Sequence, residues 1–341
     1  MSAVVCGLPT GPRVPVPKRT RCALDRQPLP CAVIPSLLRS VTTMTERRLA
    51  DIVSTRRGLL GAVGVGLGSV LAGCGSVRQM EPEQIRDTRT VDPSRVAALS
   101  VTEATGDIAF IGEPRDDIKI VSQKHATGGV SLNELDTSVQ IVENRLEITT
   151  DEPQLLGLGG GRVALELRVP PSVAVHRLHT NHGSVTGVEV PDGATLEAPD
   201  GDVSVSRARG DISARSTKGH ITVDGTKGDL SATTLEGTIQ VRDPMRVAAL
   251  TTQTGDITAD VPAVADDALV ESSAGDLLLR LSEELSATLS AHTSTGEFSV
   301  PKQAPQFRVH QRTETRLHAA VERGTSRLTA RTDDGDITIR A

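Results

Sequence analysis

A short unit recurs through the second half of this 341-residue chain. It reads glycine, a polar residue that is often aspartate, an aliphatic residue, any residue, then an apolar one. It stands at Gly183, Gly201, Gly210, Gly219, Gly228, Gly237, Gly255, Gly275, Gly296 and Gly335, with an early copy at Gly106-Asp107-Ile108. From Gly183 the steps are 18, 9, 9, 9, 9, 18, 20, 21 and 39 residues. A near-fixed step outranks other signals, because each repeat is one unit that buries its apolar face only against its neighbours.

Nine residues accommodate one strand and one turn. Glycine takes the turn conformation that other residues resist. Asp, Asn or Ser beside it satisfies turn backbone groups. The residues that follow alternate, so Ile212 with Ala214, Ile221 with Val223, and Ile239 with Val241 point to one side. Two such strands make one coil, and stacked coils set strands about 4.8 Å apart with aliphatic ladders between two sheets. The expected fold class is all-β: a β-solenoid of short strands, two per coil of about 18–20 residues, after a disordered or helical leader. Upstream of the main repeat, residues 97–103, 107–111, 118–123, 138–142, 146–150 and 163–169 also read as strands. Residues 277–289 are the best helical candidate, and strands are favoured there too.

Composition agrees. The chain has 31 Gly and 3 Phe, with no Trp or Tyr. Thin layers of Val, Ile, Leu and Ala need no rings, and stacking platforms for single-stranded nucleic acid do. Residues 1–73 carry 10 Lys/Arg against 3 Asp/Glu, leaving 27 against 40 for residues 74–341. An acidic body of this kind disfavours nucleic acid as a partner.

The basic front end reads as an address. Arg56 and Arg57 form a twin-arginine pair, followed by a Gly-rich apolar stretch from 58 to 73, shorter than a spanning helix needs. A basic flank, a short apolar region and small residues at its end describe a secretory signal. The end, Leu71-Ala72-Gly73-Cys74, resembles the lipobox of prokaryotic lipoproteins, which implies cleavage before Cys74 and a diacylglyceryl group on its sulfur. The arginine pair resembles the export signal of already folded proteins. Met44 would give a leader of ordinary length. Residues 1–43 are read as a mis-assigned start, with disorder as the alternative. Residues 44–73 are then the signal peptide, 74–96 the lipidated cysteine and a tether, and 97–341 the repeat domain. The other cysteines, Cys6, Cys22 and Cys31, precede Cys74 and none follows it, so neither a disulfide framework nor a cysteine zinc site is available in the domain.

With the strand pair 101–111, the segment Leu167-Arg168-Val169-Pro170 and the recurring Ser/Thr-x-x-Gly-Asp-Ile units in place, the chain resembles the prokaryotic putative-adhesin family, a cell-envelope domain of unknown function. The resemblance covers residues 97–341. It implies a β-solenoid-like fold and surface attachment.

Candidate chemistry is sparse. Gly-Asp repeats invite calcium, but the Gly-Gly-x-Gly-x-Asp pattern is missing. Coils of 18 residues would stack Ser184, Asp202, His220, Thr238 and Asp256 in one column, with carboxylates diluted rather than laddered. His176, His179 and His182 read as solvated turn residues, and no metal or other cofactor is expected. Gly157-Leu-Gly-Gly-Gly161 precedes a strand, not a helix, so it reads as a hairpin loop rather than a phosphate cradle. Acid pairs such as Asp266/Asp267, Glu283/Glu284 and Asp333/Asp334 point to opposite faces of a strand. The expectation is a non-enzyme, lipid-anchored at Cys74 on the outer side of the cell membrane, offering a structural or adhesive surface to an envelope protein or glycan. The alternative is an envelope polysaccharide-active enzyme, which would need acidic side chains clustered on neighbouring coils. The sequence leaves the oligomeric state open.

Overall fold

Alternation becomes strand wherever the repeat places it. The computed structural model describes residues 83–127, 130–150, 160–191, 193–301, 307–322, 324 and 326–340. Among these the strands hydrogen-bond into one 23-stranded sheet, wound so that two ladders enclose a single aliphatic core.

In stacking order the first ladder runs through Thr137–Val142, Arg145–Thr150, Ala98–Thr105, Ala174–His182, Ala194–Ala198, Ile212–Ser216, the ends of Ile221–Glu236 and Ile239–Thr254, Val264–Ala274, Ser326–Asp334, Ala287–Thr295, Arg316–Val321 and Phe307–Arg312. The second runs through Glu83–Val91, Ile118–Thr127, Gly160–Val169, Ile108–Gly112, Val185–Val188, Val203–Ala208, the starts of Ile221–Glu236 and Ile239–Thr254, Ile257–Val261, Leu277–Leu281, Ile337–Arg340 and Phe298–Ser299. All pairings between successive coils are parallel. Antiparallel strands close both ends of the stack.

Three features depart from the expectation. Glu83–Val91 pairs along its whole length with Ile118–Thr127, so the fold begins inside the segment read as a tether. Ile221–Glu236 and Ile239–Thr254 are single strands of 16 residues that bend from one ladder into the other, where two short strands were expected. The coils also do not stack in chain order. The first coil, 98–112, lies between strands of 145–169 and of 174–188. The last, 326–340, is wedged between the coils of 264–281 and of 287–299.

The apolar residue of each repeat forms one column: Ile108, Val185, Val203, Ile221, Ile239, Ile257, Leu277, Ile337 and Phe298. A column in the other ladder is smaller, with Leu196, Ala214, Ala232, Leu250, Val270, Ala330 and Ala291 all buried. Burying each larger aliphatic side chain contributes about 1.5–3 kcal/mol. The layer is mostly aliphatic, with Phe110, Phe298 and Phe307 as its rings.

The glycines form the corner where the first ladder passes into the second. In stack order they are Gly106, Gly183, Gly201, Gly219, Gly237, Gly255, Gly275, Gly335 and Gly296. A β-carbon on any of the last eight would lie 2.0–2.2 Å from the carbonyl oxygen of the glycine before it. That carbonyl is reached by a hydroxyl three residues before the next glycine. Thr180 donates to Gly106, Ser216 to Gly201, Thr234 to Gly219, Thr252 to Gly237, Ser272 to Gly255, Thr332 to Gly275 and Thr293 to Gly335, at 2.8–3.1 Å. The Ser/Thr of the repeat therefore satisfies a backbone oxygen at the tight corner. Leaving such a buried group unpaired costs about 1–3 kcal/mol. Thr252→Val keeps the shape and removes the donor, and urea denaturation is expected to show a loss in that range. An unchanged midpoint would contradict this role.

Candidate functional site

The residue after each glycine stacks as its own column, and the structure extends the expected order to Asp107, Ser184, Asp202, His220, Thr238, Asp256, Asp276, Asp336 and Glu297. The side chain of one coil accepts the backbone N–H of the next. Asp107 takes Ser184, Asp202 takes His220, Asp256 takes Asp276, Asp276 takes Asp336 and Asp336 takes Glu297, at 2.7–2.8 Å. His220 Nδ1 takes Thr238 at 3.1 Å. These are turn caps, as the repeat chemistry implies.

The expected dilution of carboxylates holds from 184 to 256 and fails beyond it. The wedged last coil sets Asp336 beside Asp276, so four acids occupy adjacent coils. The sequence step to Gly335 hides this neighbour. Glu297, at the end of the ladder, borders a hollow of about 740 Å³ together with Arg312 and Glu314.

Gly210 and Gly228 lie at the opposite corner. Asp211 Oδ1 accepts the Asp229 N–H there at 2.8 Å. A β-carbon on Gly228 would meet Asp211 Oδ1 at 2.4 Å. One residue per coil at this corner adopts a left-handed backbone: Glu189 (φ +52), Arg207 (φ +55), Gly225 (φ +78) and Asp243 (φ +46). The conformation bends the chain from the second ladder toward the first, within one continuous strand at Gly225 and Asp243.

Three of these positions carry side chains and Gly225 carries none. The gap opens a notch of about 480 Å³, bordered by Arg207 and Arg209 on one side and Lys227 and Asp243 on the other. Glu189 holds the arginine wall in place, with Arg207 Nε 2.6 Å from Oε1 and Arg209 NH2 3.7 Å from Oε2. The Arg207 and Arg209 side chains are 65% and 52% exposed, so these pairs add little to stability. Beneath the notch, Thr226 is buried and its hydroxyl has no hydrogen-bond partner among the described residues.

Sequence reasoning missed this notch. Its marker is an 18-residue step, Glu189, Arg207, Gly225, Asp243, with only one glycine in it.

The three histidines on 174–182 do not converge. His179 faces Glu197 at 3.2 Å, and His182 faces Asp200 at 3.0 Å. His176 is the extra residue at a register shift between Val175 and Arg177. Among the described residues no group of His, Cys, Asp or Glu is placed to hold a metal ion. Gly160 and Gly161 are strand residues. A β-carbon on Gly161 would lie 2.5 Å from Leu135 Cδ2, so the glycine makes room for a core leucine. Arg56, Arg57, Leu71, Ala72, Gly73 and Cys74 lie outside the described residues. No helix of the described residues is long and apolar enough to cross a membrane.

The family described as Toastrack DUF4097 matches residues 92–340. No curated protein matches the chain. Solved structures similar to it include three at 12% identity. One is a putative cell adhesion protein from Clostridium sporogenes, covering 76% of this chain and 99% of that one with a TM-score of 0.25. Another is a putative adhesin from Bacteroides fragilis, covering 75% and 96% with a TM-score of 0.39. The third is a putative lipid binding protein from Parabacteroides distasonis, covering 77% and 98% with a TM-score of 0.40. Likeness at this level says nothing about what the present chain binds.

Proposed function

The chain belongs to the Toastrack DUF4097 family, and from that premise we propose that it is a lipid-anchored cell-surface protein whose solenoid is a non-catalytic adhesive surface. The notch at Gly225 carries this reading. Arg207, Arg209 and Lys227 are hydrogen-bond donors with fixed positive charge, suited to an acidic group on an envelope glycan or protein. The rigid stack fixes their spacing.

The lipobox ending at Cys74 supports the anchor. Eight residues separate Cys74 from the strand at Glu83, a reach of at most about 30 Å. The antiparallel end of the stack at 83–91 therefore lies close to the outer face of the membrane.

Two variants test the reading. Arg207→Ala with Arg209→Ala is expected to lower capture of isolated cell envelopes at least tenfold, because two charge-assisted contacts at about 1.5–3 kcal/mol each are lost. Cys74→Ser is expected to move the protein from the membrane to the soluble fraction. Unchanged capture by the first variant, or unchanged fractionation of the second, overturns the corresponding half.

One observation favours the polysaccharide-active alternative. Asp256, Asp276, Asp336 and Glu297 do stack on neighbouring coils, and Glu297 opens onto a hollow with Glu314. Against it, Asp256, Asp276 and Asp336 each commit Oδ1 to capping a turn.

A further inference from the structure

Among the described residues the first ladder ends on two edge strands with no strand beyond them. Thr137–Val142 pairs on one side only, with Arg145–Thr150. Phe307–Arg312 pairs on one side only, with Arg316–Val321. Each edge strand is six residues long. An open edge is a template for another strand, and charge or brevity normally blunts it. The second ladder is blunted in this way. Its outer strand Glu83–Val91 carries Arg86, Asp87 and Arg89, and its other end, Phe298–Ser299, has two residues.

The first ladder's edges are different. Val139 and Ile141 stand opposite buried Ile148 and Leu146, so they face the core side. Phe307 and Val309 stand opposite buried Val321 and Ala319 and do the same. Ile141 is 38% exposed and Val309 45% exposed. Both are core-side positions that no further strand covers among the described residues.

Around the first edge lie Glu134, Asp136, Glu143 and Glu147, against Arg145 and Arg89, whose guanidinium donates to the Thr137 carbonyl at 3.0 Å. Around the second lie Arg308, Arg312 and Arg316, with Glu314 and Glu322 as the acids of 307–322. One end is therefore acidic and the other is richer in cations. The strand directions agree as well. Arg145–Thr150 and Ala287–Thr295 point the same way through the parallel ladder, Thr137–Val142 runs against it, and Phe307–Arg312 runs with it. Two copies in the same orientation would meet as an antiparallel pair.

We propose that copies of this chain stack head to tail, Thr137–Val142 of one on Phe307–Arg312 of the next. The core columns then continue from Val139 and Ile141 to Phe307 and Val309. The contact joins two different surfaces, so it grows an open filament instead of a closed dimer. Because the ends are oppositely charged, raising salt shortens the assemblies.

The test uses the full-length chain in detergent, followed by sedimentation velocity. Wild type is expected to form a concentration-dependent ladder of oligomers. Ile141→Lys and Val309→Lys, which place a charge on one edge each, are each expected to be monomeric. Each variant keeps one intact edge. An equal mixture of the two is therefore expected to give a one-to-one dimer and nothing larger, which also shows that both are folded. A wild type that stays monomeric, a mixture that stays monomeric, or either variant dimerising alone would overturn the proposal.

Discussion

Deletion of residues 326–341 is expected to dismantle the stack from 287 onward. In a solenoid that stacks in chain order, the last coil is an end, and its loss breaks one interface. Here Ser326–Asp334 pairs on one side with residues 267–274 and on the other with 287–295. Ile337–Arg340 pairs with both Leu277–Leu281 and Phe298–Ser299. Ala287–Thr295 has no other parallel partner, so it leaves with the wedge. Leu328, Ile337 and Ile339 are buried, at about 1.5–3 kcal/mol each. Together they correspond to a fall in melting temperature of roughly 10–20 °C. Limited proteolysis of the deleted chain is expected to cut within 282–322 and leave a resistant fragment that begins near 83. Resistance of 287–321 equal to that of the intact chain would contradict the wedged order.

Gly255→Ala is expected to be strongly destabilising. Its φ is +138, and the added carbon would lie 2.2 Å from the Gly237 carbonyl oxygen. The coils cannot part at that corner without breaking the Gly237 N–H to Thr254 O bond at 2.9 Å and the Thr252 hydroxyl to Gly237 O bond at 3.1 Å. Overpacking against backbone costs about 3 kcal/mol or more. Gly225→Ala is the matched control. Gly225 also has positive φ, +78, but its nearest atoms are Arg207 N and Cα at 3.8 Å. Glu189, Arg207 and Asp243 already tolerate the same backbone in the same column. The expected cost there is about 1–2 kcal/mol. Equal denaturation midpoints for the two alanine variants would contradict the close-packed corner.

The repeat made much of this legible. Gly-Asp-Ile marked the strand starts, alternation identified inward residues such as Ile221 and Val223, and an 18-residue coil put Ser184, Asp202, His220, Thr238 and Asp256 in one column. The order of coils was not legible. Periodicity along the chain says that Gly335 belongs to a coil, not that its neighbours are Gly275 and Gly296. The hairpin 307–321 extends the ladder beyond 287–295, and the chain then returns between the coils of 264–281 and 287–299.

The segment 74–96 reads as a tether because it is polar, carries two prolines and has no long apolar run; Glu83–Val91 within it is a strand because Ile118–Thr127 offers it an edge. The notch was hidden for a related reason. Left-handed positions occupied by Glu189, Arg207 and Asp243 carry no glycine signal, and only the stacked column shows Gly225 as a missing side chain.

The central claim is that the solenoid holds an envelope polymer without cleaving it. Incubating the full-length protein with isolated envelope polysaccharide, and measuring bound polymer and new reducing ends in the same sample, tests it most directly. The account predicts capture that depends on Arg207 and Arg209, with no rise in reducing ends. A steady rise in reducing ends that Glu297→Gln abolishes would contradict it.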